Sequence, residues 1–167
     1  MTGEDVLAFI RSEEGRRAAR DYLSAGLRQD AQIALRLARL DQLRKKRAEN
    51  AAAIRAGEQE IRQAYGRLRQ TQQGILAAIR RVPDEICRQV LEARYVQGLP
   101  FFRIAMELHY DERQIYRIHR KGLEHVAAQI ARGQAGPPPD DPAAVDGASF
   151  PVIPQRKAAY PVAWTGI

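Results

Sequence analysis

The sequence predicts an all-α protein, on three observations. Residues 29–82 contain no proline and repeat an apolar position every seven residues; residues 83–132 hold three short amphipathic patterns a few residues apart; prolines gather beyond Arg132. Apolar residues at helical spacing mark one buried face per helix, and a sustained seven-residue repeat marks a coiled-coil seam. The expected architecture is a long N-terminal helical or coiled-coil region, then a helix-turn-helix domain, then a Pro-rich C-terminal tail.

The first pattern covers residues 4–28, with Val6, Leu7, Ile10, Tyr22, Leu23 and Leu27 as its apolar positions. Its charges cancel, five acids against five bases, which suits a packing helix within a segment spanning 1–28. Gly15 and Gly26 weaken it, and Gly26 is placed to end it. Residues 29–82 then read as one helix, about 80 Å long if unbroken. Ile33, Leu40, Arg47, Ile54, Ile61, Leu68, Ile75 and Val82 share one heptad position. The second seam position reads Leu37, Arg44, Ala51, Glu58, Tyr65, Gln72 and Ile79, half of it polar. A seam with isoleucine at its better-filled position leans toward a parallel two-stranded arrangement. Ile33, Leu37, Leu40, Ile54, Ile61, Leu68 and Ile75 are therefore the expected oligomerisation residues of a homo-oligomer, a dimer first among them. The alternative is an antiparallel hairpin in which residues 4–28 fold back on the long helix. Gly57, Gly66 and Gly74 are the places where the rod is able to bend or break.

Three shorter helices follow over 83–132. Pro83 and Asp84 open the first, Ile86, Val90, Leu91 and Tyr95 form its apolar face, and Gly98 stops it. Pro100 begins the second, Phe101 to Leu108, with Phe102, Ile104, Ala105 and Leu108 for a small core and Ala105 where two helices must approach closely. His109 and Tyr110 make the turn. Asp111 caps the third helix, and Gln114 completes a capping box. Ile115, Ile118, His119, Leu123 and Val126 trace the inward face, leaving Glu112, Arg113, Gln114, Tyr116, Arg117 and Arg120 outward. The first turns of a recognition helix reach base edges, and flanking residues hold phosphates. Arg113, Gln114 and Arg117 are the candidates for bases, since arginine forks onto guanine and glutamine onto adenine. Tyr116, Arg120 and Lys121 are candidates for phosphates, with Arg103 a weaker one.

The run VPDEICRQVLEARYVQGLPFFRIAMELHYDERQIYRIHRKGLEHV, residues 82–126, resembles the helix-turn-helix of bacteriophage transcriptional regulators of the ArpU/RinA type, which itself resembles sigma factor region 4. The likeness rests on the PD opening, LEARYVQG, RIAMELHY in place of the family's IA...LGY pattern, and RQIYRIHRKGLE. Two departures stand out: Phe101-Phe102-Arg103 where a polar start is usual, and Gly122 for the common alanine. The glycine costs roughly 1 kcal/mol of helix propensity, so the far end of the third helix is expected to bend or fray. The resemblance implies a sequence-specific phage or prophage transcriptional regulator that binds double-stranded DNA and is able to contact RNA polymerase. Two rival classes stay open: a packaging adaptor similar to small terminase subunits, and a module that binds protein only.

The net charge of +7 and sequence pI near 10.0 suit a polyanionic partner. Residues 29–83 carry twelve bases against five acids, a surplus of seven, whereas residues 84–135 carry eight against seven, a surplus of one. Arg44-Lys45-Lys46-Arg47 is the densest cluster; it reads either as a phosphate contact beside the bound site or as a solvated helix face. Cys87 is the only cysteine, so a disulfide within the chain is excluded and a reducing compartment is expected. Without a signal-peptide pattern or an apolar run near the roughly 20 residues of a membrane span, a cytoplasmic location in a bacterial host and no membrane partner are expected. Cys87, His109, His119 and His125 match no zinc spacing, and no phosphate-cradling loop or nucleophile motif occurs. No enzyme activity, metal or cofactor is expected; His119 reads as a packed structural histidine and Cys87 as a small buried apolar residue. Residues 133–149 read as a disordered linker. Residues 150–167 form an apolar peptide containing Trp164, which either docks on its own or a partner's surface, or serves as a short peptide ligand for another protein.

Overall fold

A computed structural model describes residues 2–135; of the expected linker over 133–149 only residues 133–135 are described, bonded back to the end of the last helix, and the rest of it and the apolar tail lie outside the described residues. Six helices and no strand occur among the described residues: α1 (Gly3–Arg11), α2 (Glu13–Arg44), α3 (Ala51–Arg80), α4 (Glu85–Tyr95), α5 (Phe101–Leu108) and α6 (Glu112–Ala131).

The first expected helix, 4–28, is divided at Ser12. Its hydroxyl accepts from the Gly15 N–H at 3.0 Å and donates to the Phe9 carbonyl at 2.7 Å, so one side chain ends α1 and starts α2. Gly15 lets α2 leave that corner closely, since a Cβ there would overlap the Phe9 carbonyl. Gly26 ends nothing: it is buried in the middle of α2, where a Cβ would stand 3.4 Å from Ile75.

The single rod over 29–82 is also corrected. The chain turns back at residues 45–50, and α2 and α3 pair antiparallel within the chain. Close approaches of Tyr22 to Gly74, Gly26 to Gln72 and Leu40 to Gly57 climb α2 while descending α3. The rod breaks at none of the glycines 57, 66 or 74, all of which stay inside α3. It breaks in the run KKRAEN, where backbone N–H groups of Glu49 and Asn50 both donate to the Lys46 carbonyl at 3.2 Å. The Asn50 side-chain amide adds a second bond, at 3.3 Å, to the Leu43 carbonyl, which already accepts from the Lys46 N–H at 3.2 Å. Four consecutive cations repel one another in a continued helix, and folding back buries apolar faces that a bare rod leaves in water. The seam residues assigned to association between chains are consumed in this way. Ile33 packs with Ala64 and Leu68, Leu40 packs with Ile54 and Ile61, and Ile75 joins the main core; Leu37 alone of the set is exposed. Two polar seam positions meet across the hairpin, Arg44 Nη2 lying 3.0 Å from Glu58 Oε1.

The main core sits at the open end of the hairpin. Ala19, Tyr22 and Leu23 of α2, Ile75, Ala78 and Ile79 of α3, Val82, Cys87, Leu91 and Tyr95 around α4, and Leu123, Val126 and Ala127 of α6 form one cluster. Phe9 of α1 packs against it, and Arg16 reaches Glu124 at 3.6 Å. In the same interior the Gln129 side-chain amide donates to the Ala78 carbonyl at 2.9 Å. The hairpin thus seats α6, and its far half extends beyond the core.

Candidate nucleic-acid interface

Asp84 caps α4 by accepting from the Cys87 N–H at 3.2 Å, and Gly98, at φ 73°, carries the chain out of the helix end in the left-handed region. Pro100 caps α5, which runs from Phe101 to Leu108 as its sequence pattern predicts. A small core of Val90, Ala93, Ile104, Ala105 and Ile115 holds α4, α5 and α6 together, with Ala105 buried where α5 meets its neighbours. Phe102, expected in this core, is 55% exposed; Phe101 takes the inward place instead, its ring 4.7 Å from Tyr116 and 4.9 Å from His119. The reason is rotational phase: Ile104, Ala105 and Leu108 line the inner face, and Phe101 shares it one turn earlier, while Phe102 and Met106 fall on the opposite side.

The link between α5 and α6 turns on His109, at φ 57°, a conformation usually left to glycine. The Tyr110 N–H donates to the Ala105 carbonyl at 3.0 Å, closing the turn. Asp111 Oδ1 accepts from the Gln114 N–H at 2.8 Å while Gln114 Oε1 accepts from the Asp111 N–H at 3.2 Å, the reciprocal capping box.

From this start α6 presents Glu112, Arg113, Gln114, Tyr116, Arg117, Arg120 and Lys121 to solvent and buries Ile115, His119, Leu123 and Val126. Arg113, Arg117 and Arg120 share one face, and among the described residues none of them is ion-paired. Tyr116 is fixed by its ring contact with Phe101 and by donating its hydroxyl to Glu112 at 3.2 Å. Phe101 is braced in turn by the Arg94 guanidinium, 4.9 Å above its ring. Gln114 is held by the capping box through the carbonyl oxygen that adenine recognition needs. Lys121 Nζ is 2.6 Å from Asp84 Oδ2, tying the end of the exposed stripe to the start of α4. That lysine, with a backbone N–H, holds the Asp84 carboxyl down at about 2. Arg103 is exposed on α5.

Three further ionisable side chains, His119, Tyr95 and Cys87, are buried behind this surface. His119 is 8% exposed, its Nε2 2.8 Å from the Tyr95 hydroxyl; burial, reinforced by the Arg94 and Arg20 charges, pushes it down to about 4. Burial raises the Tyr95 hydroxyl to about 12. Cys87 is buried, and burial, followed by the nearby Asp84 charge, pushes its thiol up to about 11, so it stays protonated. Gly122 neither bends nor frays the helix. A Cβ there would stand 3.1 Å from Cγ and Cδ1 of Leu91, so the glycine lets α6 lie close on α4.

The features that sequence reasoning missed here are the Lys121–Asp84 tie, the Phe101 bracket and the apolar outer face of α5. The first joins residues distant in sequence and left no local signal; the other two follow from the phase of one eight-residue helix. No helix among the described residues is long and apolar enough to cross a membrane. The fold defines an all-α class: a helical hairpin seating a three-helix unit whose last two helices form a helix-turn-helix. No protein-family model, curated protein or solved structure matches the chain.

Proposed function

We propose that this chain is a sequence-specific DNA-binding protein, a transcriptional regulator of phage or prophage type, with α6 as its recognition helix. The observation that carries the reading is the stripe of Arg113, Arg117 and Arg120, exposed and without ion-pair partners among the described residues, at the start of a helix braced on two others. Such cations lie ready to meet bases and phosphates without first breaking a structural contact. Arg113 and Arg117 are the base-reading candidates and Arg120 and Tyr116 the backbone candidates. Gln114, Tyr116 and Lys121 are weaker than their positions alone imply, because each is already engaged within the fold. A dimer on a palindromic operator would use surface other than the consumed seam.

The test is selection from a randomised duplex library by the wild-type chain and by an Arg113→Ala/Arg117→Ala variant, with the mass of the complex measured alongside. The expected outcome is an enriched sequence that the variant no longer prefers, each lost fork being worth about 1–3 kcal/mol of discrimination. Enrichment indifferent to the variant, or a large ring with no preference, would overturn the assignment of α6.

A second reading, a protein-binding module, draws on the outer face of α5, where Phe102 is 55% and Met106 68% exposed. The same face would serve a regulator for contact with polymerase. A Phe102→Ser/Met106→Ser variant separates the two: a regulator keeps its DNA preference, whereas a protein-only module has none to keep.

A further inference from the structure

We infer that the far half of the α2–α3 hairpin is a phosphate-binding arm that carries the sequence-independent part of the duplex-DNA contact; this rests on the DNA-binding reading above.

The helix-turn-helix unit is poor in disposable positive charge. Residues 84–135 have eight bases against seven acids. Of those bases, Lys121 is paired with Asp84, Arg94 donates to the Leu99 carbonyl at 3.0 Å, and Arg88 donates to the Val82 carbonyl at 2.8 Å. Affinity for a duplex scales with the number of phosphates neutralised, and a unit this close to neutral supplies few.

The hairpin holds the missing charge, with twelve bases against five acids over residues 29–83. Across residues 42–57, around its tip, five bases stand against one acid, Glu49. Arg44 is committed to Asp41 and Glu58. Arg39, Lys45, Lys46, Arg47, Arg55 and Arg62 are exposed, and none is ion-paired among the described residues. The arm's own stability does not call for them. One cation in the last turn complements the dipole of α2, and Arg44 is already there; three further consecutive cations add mutual repulsion. The first turn of α3, where an acid would both stabilise the helix and neutralise the tip, carries none.

The tip also reaches away from the core. At about 1.5 Å of rise per residue, α2 runs about 27 Å from Gly26, opposite Ile75, to Arg44. That length is about eight base pairs at roughly 3.4 Å each. The chain so divides the labour between a nearly neutral reader of sequence and a basic arm on the backbone beside it.

The experiment is a salt series of duplex affinity for the full chain and two variants, Lys45→Gln/Lys46→Gln/Arg47→Gln at the tip and Arg55→Gln/Arg62→Gln on the exposed face of α3. Helicity and thermal unfolding are recorded to show that the hairpin is intact. The expected result is a slope of log affinity against log salt shallower by about 2.7 for the tip variant and about 1.8 for the α3 variant, with the preferred sequence unchanged and protection of flanking backbone lost. Unchanged slopes in two folded variants would overturn the arm while leaving the recognition helix standing. A wild type with no preferred sequence whose salt slope still falls in the variants would keep the arm and remove the recognition helix. Binding to phosphatidylserine vesicles that is lost in the tip variant, with the DNA slope unmoved, would assign the arm to a membrane surface and overturn the proposal.

Discussion

His119 is neutral in the fold because burial holds its pKa at about 4, below the ordinary 6.5. The unfolded chain takes up a proton as pH falls through 6.5, and the folded chain does so only near 4, so stability present above that window is lost as pH descends through it. The full difference corresponds to something on the order of 3 kcal/mol. Urea midpoints of the wild type are therefore expected to fall between pH 6.5 and 4, while a His119→Gln variant, lacking the titrating ring, shows a flatter profile in that window. Asp84 acts lower down: its carboxylate, held at about 2 by Lys121, keeps its stabilising tie above the ordinary 3.8 and loses it as pH falls toward 2. At Gly122, alanine would gain about 1 kcal/mol of propensity but press on Leu91, which is fully buried and has little room to yield. Gly122→Ala is expected to lower stability, and adding Leu91→Val to recover part of the loss; a double-mutant cycle with no coupling would refute the contact. At His109, the left-handed backbone predicts that valine costs about 1–2 kcal/mol more than asparagine in thermal unfolding.

Among the elements, the α1–α2 corner depends most on one small residue. Gly15→Ala sets a methyl against the Phe9 carbonyl, and backbone yields less readily than a side-chain tip. The expected outcome is that α1 detaches from the core, read as faster amide exchange in residues 3–11, with a stability loss exceeding the ~1 kcal/mol expected when Ser12→Ala removes the cap. Ser12 could have been read as a cap from sequence, since it precedes two glutamates; the clash at Gly15 could not, because it involves a backbone that arrives from another helix. The three C-terminal helices were far more legible: Asp84, Gly98 and Asp111 mark their ends, and each mark acts within one turn of chain. Phe102 was misassigned because both Phe101 and Phe102 are apolar, and one eight-residue helix gives too little periodicity to choose between them.

For the molecule as a whole, the hairpin is thick with contacts at its seat and thin beyond it. The core cluster joins residues from α2, α3, α4 and α6, whereas the outer clusters are Ile33 with Ala64 and Leu68, then Leu40 with Ile54 and Ile61. Local opening costs follow buried contact, so amide protection is expected to decline from residues near Gly26 and Ile75 toward Lys45–Asn50. Uniform protection along both arms would mean that the outer hairpin is covered by another body.

The sequence by itself determined the helical class, the caps and stops of α4 to α6, the solvent face of α6 and the uneven charge, because each rests on periodicity or on contacts within a turn. Only the tertiary structure decided that residues 29–82 fold back at Lys45–Asn50 and bury their seam within one chain. A seven-residue apolar repeat marks a face that must be covered, but the same repeat serves a partner chain or the chain's own return, and the free energy that selects the return lies in contacts between residues far apart in sequence.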